Sequence, residues 1–201
     1  MKKFYHFIAY LYHPLFFPLA GTIAYFLISP RYHPIELWKP IVISVTILTL
    51  LIPLAFSLLL KSIGWIESIE LKKVSERKIP LYIFIFLIGV IIYRVIPFSF
   101  SIELYFYFIG ILGSAFACLI MVFFGIKASI HMMGISGLTL FILGLSFHYQ
   151  INITIALTFL VFSTGLVASA RLFTKAHDFK EITLGFFLGV MPQLITFQYW
   201  L

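Results

Sequence analysis

One cysteine, Cys118, is all this chain has, so an internal disulfide and a cysteine-based metal motif are both excluded. Acidic residues are almost as scarce, 7 in 201. No H-E-x-x-H pattern and no carboxylate cluster is present to hold a divalent ion. No metal or other cofactor is therefore expected. Charge of either sign makes up 10% of the residues, against about 25% in an ordinary soluble domain, which excludes a fully hydrated surface. Internal repeats and low-complexity linkers are absent, so residues 1–201 read as a single integral-membrane domain.

What remains is apolar. Hydrophobic residues are 62% of the chain and the mean hydropathy is +1.10. Seven apolar runs, about 4–29, 40–60, 80–97, 104–125, 129–147, 152–169 and 180–200, approach or exceed the roughly 18–20 residues that cross a bilayer as a helix. They lack the two-residue alternation of a lipid-exposed barrel. The expected fold is all-α, a polytopic transmembrane bundle of about seven spans. The first run lacks a small-residue cleavage site and is too long for a signal peptide, so it reads as an anchor. Tyr5, Trp38, Trp65, Tyr199 and Trp200 fall near span ends, where amphipathic rings settle. The net charge of +7 is explained by topology and by anionic lipid or substrate, so the lipid bilayer is the expected partner and nucleic acid is not.

Between the second and third runs, Ile63, Ile66, Ile69 and Val74 recur near helical spacing beside Trp65, which predicts a helix lying in the interface. His13-Pro14 and Pro18 make the first span irregular, as Pro53 does the second. His33 and His148 fall in far-end loops and receive no role. Gly134, Gly137 and Gly144, with the Gly185–Gly189 pair, point to close helix packing.

Three polar clusters interrupt this background. In the last, Arg171 precedes His177 by six residues and Glu181 follows it by four. At i,i+4 a carboxylate can orient one imidazole nitrogen and leave the other free to attack. Asp178 and Glu181 equally fit an N-cap with its N3 partner. In the middle cluster, Lys127-Ala128-Ser129-Ile130-His131, Ser129 is a plausible N-cap and the neighbouring free N–H groups suit an anion. The first cluster holds Lys72, Lys73, Glu76, Arg77 and Lys78 ahead of Pro80. An even number of crossings separates each cluster from the next, so all three return to one membrane face.

Together the clusters resemble a divergent member of the type 2 phosphatidic acid phosphatase superfamily, in its short, uncharacterised membrane branch. That family's motifs run K-x6-R-P, P-S-G-H and S-R-x5-H-x3-D. Here they read Lys72-x6-Ile79-Pro80, Ala128-Ser129-Ile130-His131 and Ala170-Arg171-x5-His177-x3-Glu181, over about residues 72–189. The motif arginine is replaced by Ile79, its serine by Ala170 and its aspartate by Glu181. The resemblance implies hydrolysis of a lipid phosphomonoester or pyrophosphate through a phosphohistidine. His177 would attack, Glu181 would orient it, and His131 would protonate the leaving oxygen and then activate water. Arg171, Ser129 and Lys72 would hold the phosphoryl oxygens, with Arg77 and Lys127 as further candidates. The missing contacts leave a second reading open, a non-catalytic lipid-phosphate binder or flippase-like protein on the same scaffold.

Of the 14 basic residues only Arg31, Lys39 and Arg94 lie at the opposite face. Discounting Lys72, Arg77, Lys127 and Arg171 as phosphate ligands leaves 7 against 3. The positive-inside rule then turns the clusters towards the cytoplasm, in a bacterial inner membrane, whereas the family resemblance favours an outward-facing site.

Overall fold

The computed structural model describes residues 2–71, 73–96 and 98–201, which hold helices and loops and no strand. The helices are α1 (Lys2–Leu11), α2 (Phe17–Ile28), α3 (Ile35–Thr46), α4 (Ile52–Ser62), α5 (Lys78–Val90), α6 (Ile102–Phe123), α7 (Ile130–Tyr149), α8 (Thr154–Phe173) and α9 (Phe179–Phe197). The all-α bundle expected from the sequence is what forms.

Several of these helices join end to end. A 3-10 turn over Pro14–Phe16 links α1 to α2, and a π turn over Ile47–Leu51 links α3 to α4. Six stretches are long and apolar enough to cross a membrane: Lys3–Ile28, Ile35–Ser62, Ser75–Val95, Ile102–Phe123, Ile130–Tyr149 and Thr154–Phe173. The seventh expected crossing, α9, is 19 residues long but falls outside that group, because Lys180, Glu181, Pro192 and Gln193 dilute its apolar run. Parity of the polar clusters is unaffected, since none of them extends beyond the first turn of α9.

Prolines set the irregularities. Pro14 disfavours the α region for His13, which sits at φ −65°, ψ 135° and splits α1 from the 3-10 turn. Pro53 cannot donate to the carbonyl one turn back, and the π turn directly precedes it.

The interfacial helix does not form. Gly64, at φ +79°, ends α4 in a Schellman arrangement: Gly64 N–H donates to Lys61 and Trp65 N–H to Leu60. After it the described residues of 65–74 hold turns and bends and no helix, and a 3-10 turn follows over Ser75–Arg77. Of the isoleucines that suggested a membrane-facing stripe, Ile63 is exposed while the other two turn inward. Ile66 is buried and Ile69 lines an internal cavity. Gly125, at φ +72°, ends α6 by the same device, with Ile126 N–H on the Met121 carbonyl.

The bundle is organised on α7, the most enclosed span. Its closest neighbour is α9, and the glycine pair makes that approach possible. A Cβ on Gly185 would overlap the Ser129 carbonyl, and one on Gly189 would overlap the Met133 carbonyl and the Ser136 hydroxyl. With backbone on the far side, neither contact can be relieved by a rotamer change. Gly189→Ala is expected to destabilise the protein by about 1–3 kcal/mol; thermal unfolding in detergent checks this, and an unchanged midpoint would refute the packing argument.

At the end of the bundle opposite the polar clusters, Glu103 is fully buried at the start of α6. Its carboxylate accepts from Arg31 Nη2 at 2.9 Å, Tyr149 Oη at 2.9 Å and Ser101 Oγ at 3.2 Å, with His148 Nε2 at 3.2 Å. These contacts tie α6, the α2–α3 loop and the end of α7 together. A buried carboxylate requires such partners, and they give His148 a structural place the sequence did not suggest.

Candidate functional site

Arg171, His177 and His131 come from three segments and line one cavity of about 120 Å³ at the N-terminal end of the bundle. A single water needs only about 10–15 Å³ of such space, so a phosphoryl group fits. Arg77, His13, Glu70 and Ser57 complete the polar wall. Pro53, Phe56, Leu81, Phe84 and Met133 are among the residues of the apolar wall. A smaller, mostly apolar cavity of about 60 Å³ shares Pro14, Phe84, Ile130 and Met133 with the first and extends to Gln193.

Arg171 and His177 are joined through the backbone. Helix α8 ends with Lys175 in the left-handed region at φ 53°, a conformation that glycine usually occupies. The turn lets Ala176 and His177 both donate to the Arg171 carbonyl, at 3.1 and 3.3 Å, which folds His177 back over the end of α8. Asp178 then caps α9 by accepting from the Glu181 N–H at 2.8 Å. Glu181, at N3, sends its carboxylate to His177 Nδ1 at 2.5 Å. The cap and the dyad therefore coexist on the same residues.

A carboxylate only accepts, so Nδ1 of His177 carries its proton and Nε2 keeps a lone pair. His177 lies in the α8–α9 loop. Burial first, then the cations Lys127, Arg171 and Arg77, lower its pKa from 6.5 to about 3. The ring is neutral at pH 7, the form a nucleophile needs. The native state thus resists a proton that the unfolded chain accepts below about pH 6.5, so this group's stabilisation is complete above 6.5 and is lost as pH falls towards 3. No His177 inflection is expected between pH 5 and 8. Ring-nitrogen NMR checks this, and a midpoint of 6–7 would contradict it.

His131 is buried near the start of α7, and its Nε2 lies 3.2 Å from the Ala9 carbonyl. A carbonyl cannot donate, so Nε2 is the protonated nitrogen and Nδ1 is left to exchange protons. Arg171 is buried with Nε unpaired, and no hydrogen bond from its side chain is present among the described residues. A buried guanidinium lacking a partner is costly, and an anion in the cavity would relieve it.

The remaining expected ligands are placed differently. Arg77 lines the cavity, but its Nε donates to the Leu71 carbonyl at 3.0 Å and its Nη1 to the Ala128 carbonyl at 2.6 Å. It straps two loops together, and among the described residues Nη2 has no hydrogen-bond partner. Ser129 is buried outside the cavity lining. Its Oγ caps α7 by accepting from Met132 N–H at 3.5 Å, and its own N–H donates to the Glu181 carbonyl at 2.9 Å. Lys127 donates to the Ala176 carbonyl at 2.8 Å and lies 3.8 Å from Glu181. Burial is the main influence lowering the pKa of Lys127, with the Glu181 charge opposing it. Lys72 lies outside the described residues. Ile79, at the motif arginine position, is exposed and absent from the cavity wall.

Two titratable wall residues lie outside the three motif-like clusters. His13 belongs to the first span, which carries no motif, and its ring centroid lies 5.6 Å from that of His131. Glu70 sits in the turn-rich segment after α4. Only the lone histidine beside Pro14 could have signalled the first of these.

Comparison with protein families, curated proteins and solved structures returns no match to this chain.

Proposed function

We propose that this protein is a metal-independent lipid phosphatase or pyrophosphatase, a divergent relative of the type 2 phosphatidic acid phosphatases. One observation carries the reading: Arg171, His131 and a neutral His177 held by Glu181 line a single cavity. Phosphoryl transfer chiefly needs an in-line nucleophile and donors for the equatorial oxygens. His177 Nε2 attacks phosphorus and the bond to the lipid oxygen breaks. The bound phosphoryl anion favours the charged form of His131, which takes up a proton with the substrate and gives its Nδ1 proton to that oxygen. The resulting neutral ring, still anchored by Nε2–H on Ala9, takes a proton from water through Nδ1. The hydroxide formed attacks the phosphohistidine, releasing phosphate and regenerating His177. Arg171 offers the planar fork that binds phosphoryl oxygens in pairs, and Arg77 Nη2 adds a further donor.

The two-sided wall supports an amphiphilic substrate, with the headgroup among the imidazoles and guanidiniums and the tail along Phe56, Leu81 and Phe84. The smaller apolar cavity extends that path into the bundle. Positive-inside asymmetry favours a site facing the cytoplasm of a bacterial inner membrane.

Purified protein in detergent with chelator present tests the proposal against phosphatidate, phosphatidylglycerol phosphate, a polyprenyl pyrophosphate and a lipid A phosphate. Release of inorganic phosphate from at least one is expected. Binding without release from any would favour the binder or flippase-like reading, which the commitment of Arg77, Ser129 and Lys127 to internal hydrogen bonds also fits.

A further inference from the structure

The cavity is short of phosphate donors. A phosphoryl group presents three non-bridging oxygens, and leaving them unpaired in a buried site is costly. Among the expected ligands, Lys127 Nζ and two of the Arg77 nitrogens already donate to carbonyls, and Ser129, Lys127 and Ile79 are absent from the cavity wall. Another donor must come from outside the three motif-like clusters, where the cavity wall offers His13 and Ser57.

We propose that His13 is that donor: a neutral imidazole, contributed by the first span, whose Nε2–H binds a phosphoryl oxygen. His13 lines the cavity beside His131 and Arg171. Its Nδ1 accepts from the Leu15 N–H at 3.5 Å, capping the 3-10 turn that Pro14 begins. A backbone N–H can only donate, so Nδ1 is the bare nitrogen and the ring proton resides on Nε2. No protein partner for Nε2 is present among the described residues. The edge-to-face contact with His131 gives a reason for a neutral donor there. His131 must become cationic to protonate the leaving group, and a fixed cation at position 13 would oppose that charge. This role rests on the phosphate-site reading proposed above.

Orthovanadate binding to the full-length protein, by equilibrium dialysis in detergent, is the test. His13→Leu is expected to weaken binding about 10- to 100-fold. His13→Gln keeps both an acceptor for Leu15 and an N–H donor, and is expected to restore affinity to within a few-fold. If the leucine variant does not fold, His13→Asn replaces it: the shorter side chain can still cap Leu15 but stops short of the cavity, so weakened binding is again expected. Inorganic phosphate and a short-chain phosphatidate should lose affinity by the same factor, and whichever the wild type binds more tightly identifies the natural source of the phosphoryl group. Wild-type affinity in the leucine or asparagine variant, a folded glutamine variant without rescue, or a loss confined to the lipid would overturn the assignment. Vanadate binding by a wild type that hydrolyses no lipid would sink the phosphatase reading alone. No vanadate binding by the wild type would sink both.

Discussion

Alanine at position 177 is expected to reduce phosphate release by at least about 10⁴-fold while the bundle stays folded. The imidazole is the one group in the cavity that combines a free lone pair, a neutral ring and an orienting carboxylate, and no neighbour can take over its place. His131 turns its Nε2 proton to Ala9 and His13 uses its Nδ1 lone pair on Leu15. The His177 main-chain N–H bonds the Arg171 carbonyl, an interaction alanine retains, so thermal unfolding should change little beside the loss of activity. Acid-quenched wild type should retain an acid-labile phosphoryl group on nitrogen and the variant should retain none. Activity within tenfold of wild type would remove His177 as the nucleophile.

Arg171→Met should cut hydrolysis severely and yet stabilise the empty protein. The guanidinium is buried in the cavity wall, its Nε has no partner, and Glu70 is the carboxylate that chiefly opposes its charge. Breaking a buried ion pair is costly because it strands a charge; replacing an already stranded charge with an apolar side chain of similar length works in the opposite sense. A gain of about 1 kcal/mol or more in unfolding free energy is expected, the trade commonly found where function requires local strain. Catalysis should fall by about 10²–10³-fold, the usual consequence of losing a preorganised donor to developing phosphoryl charge. Unfolding midpoints and phosphate release on one preparation check both halves. A destabilised variant would mean that Arg171 is held by the fold rather than kept for a ligand.

The sequence by itself determined the solvent and the periodicity. Scarce charge and long apolar runs permit only membrane helices, because backbone polar groups in hydrocarbon must pair within their own segment. It also fixed the local geometry of Arg171, His177 and Glu181, since an i,i+4 spacing at a helix start leaves few alternatives. Even the Gly185–Gly189 pair was legible, because only glycine lets two helix backbones approach so closely. The interfacial helix was misread, because isoleucines at helical spacing are the same one-dimensional signal whether they face lipid or a cavity.

Tertiary structure alone decided which donors remain free. Lys127 and Arg77 have the chemistry to hold phosphate, but whether an ammonium or guanidinium is already committed to a carbonyl depends on what packs beside it. The same holds for His13, which lies more than 100 residues from its neighbour His131 in sequence and enters the site only because α1 breaks at Pro14 against the start of α7. Spacing along a chain constrains one helix at a time, whereas a cavity is set by contacts among several.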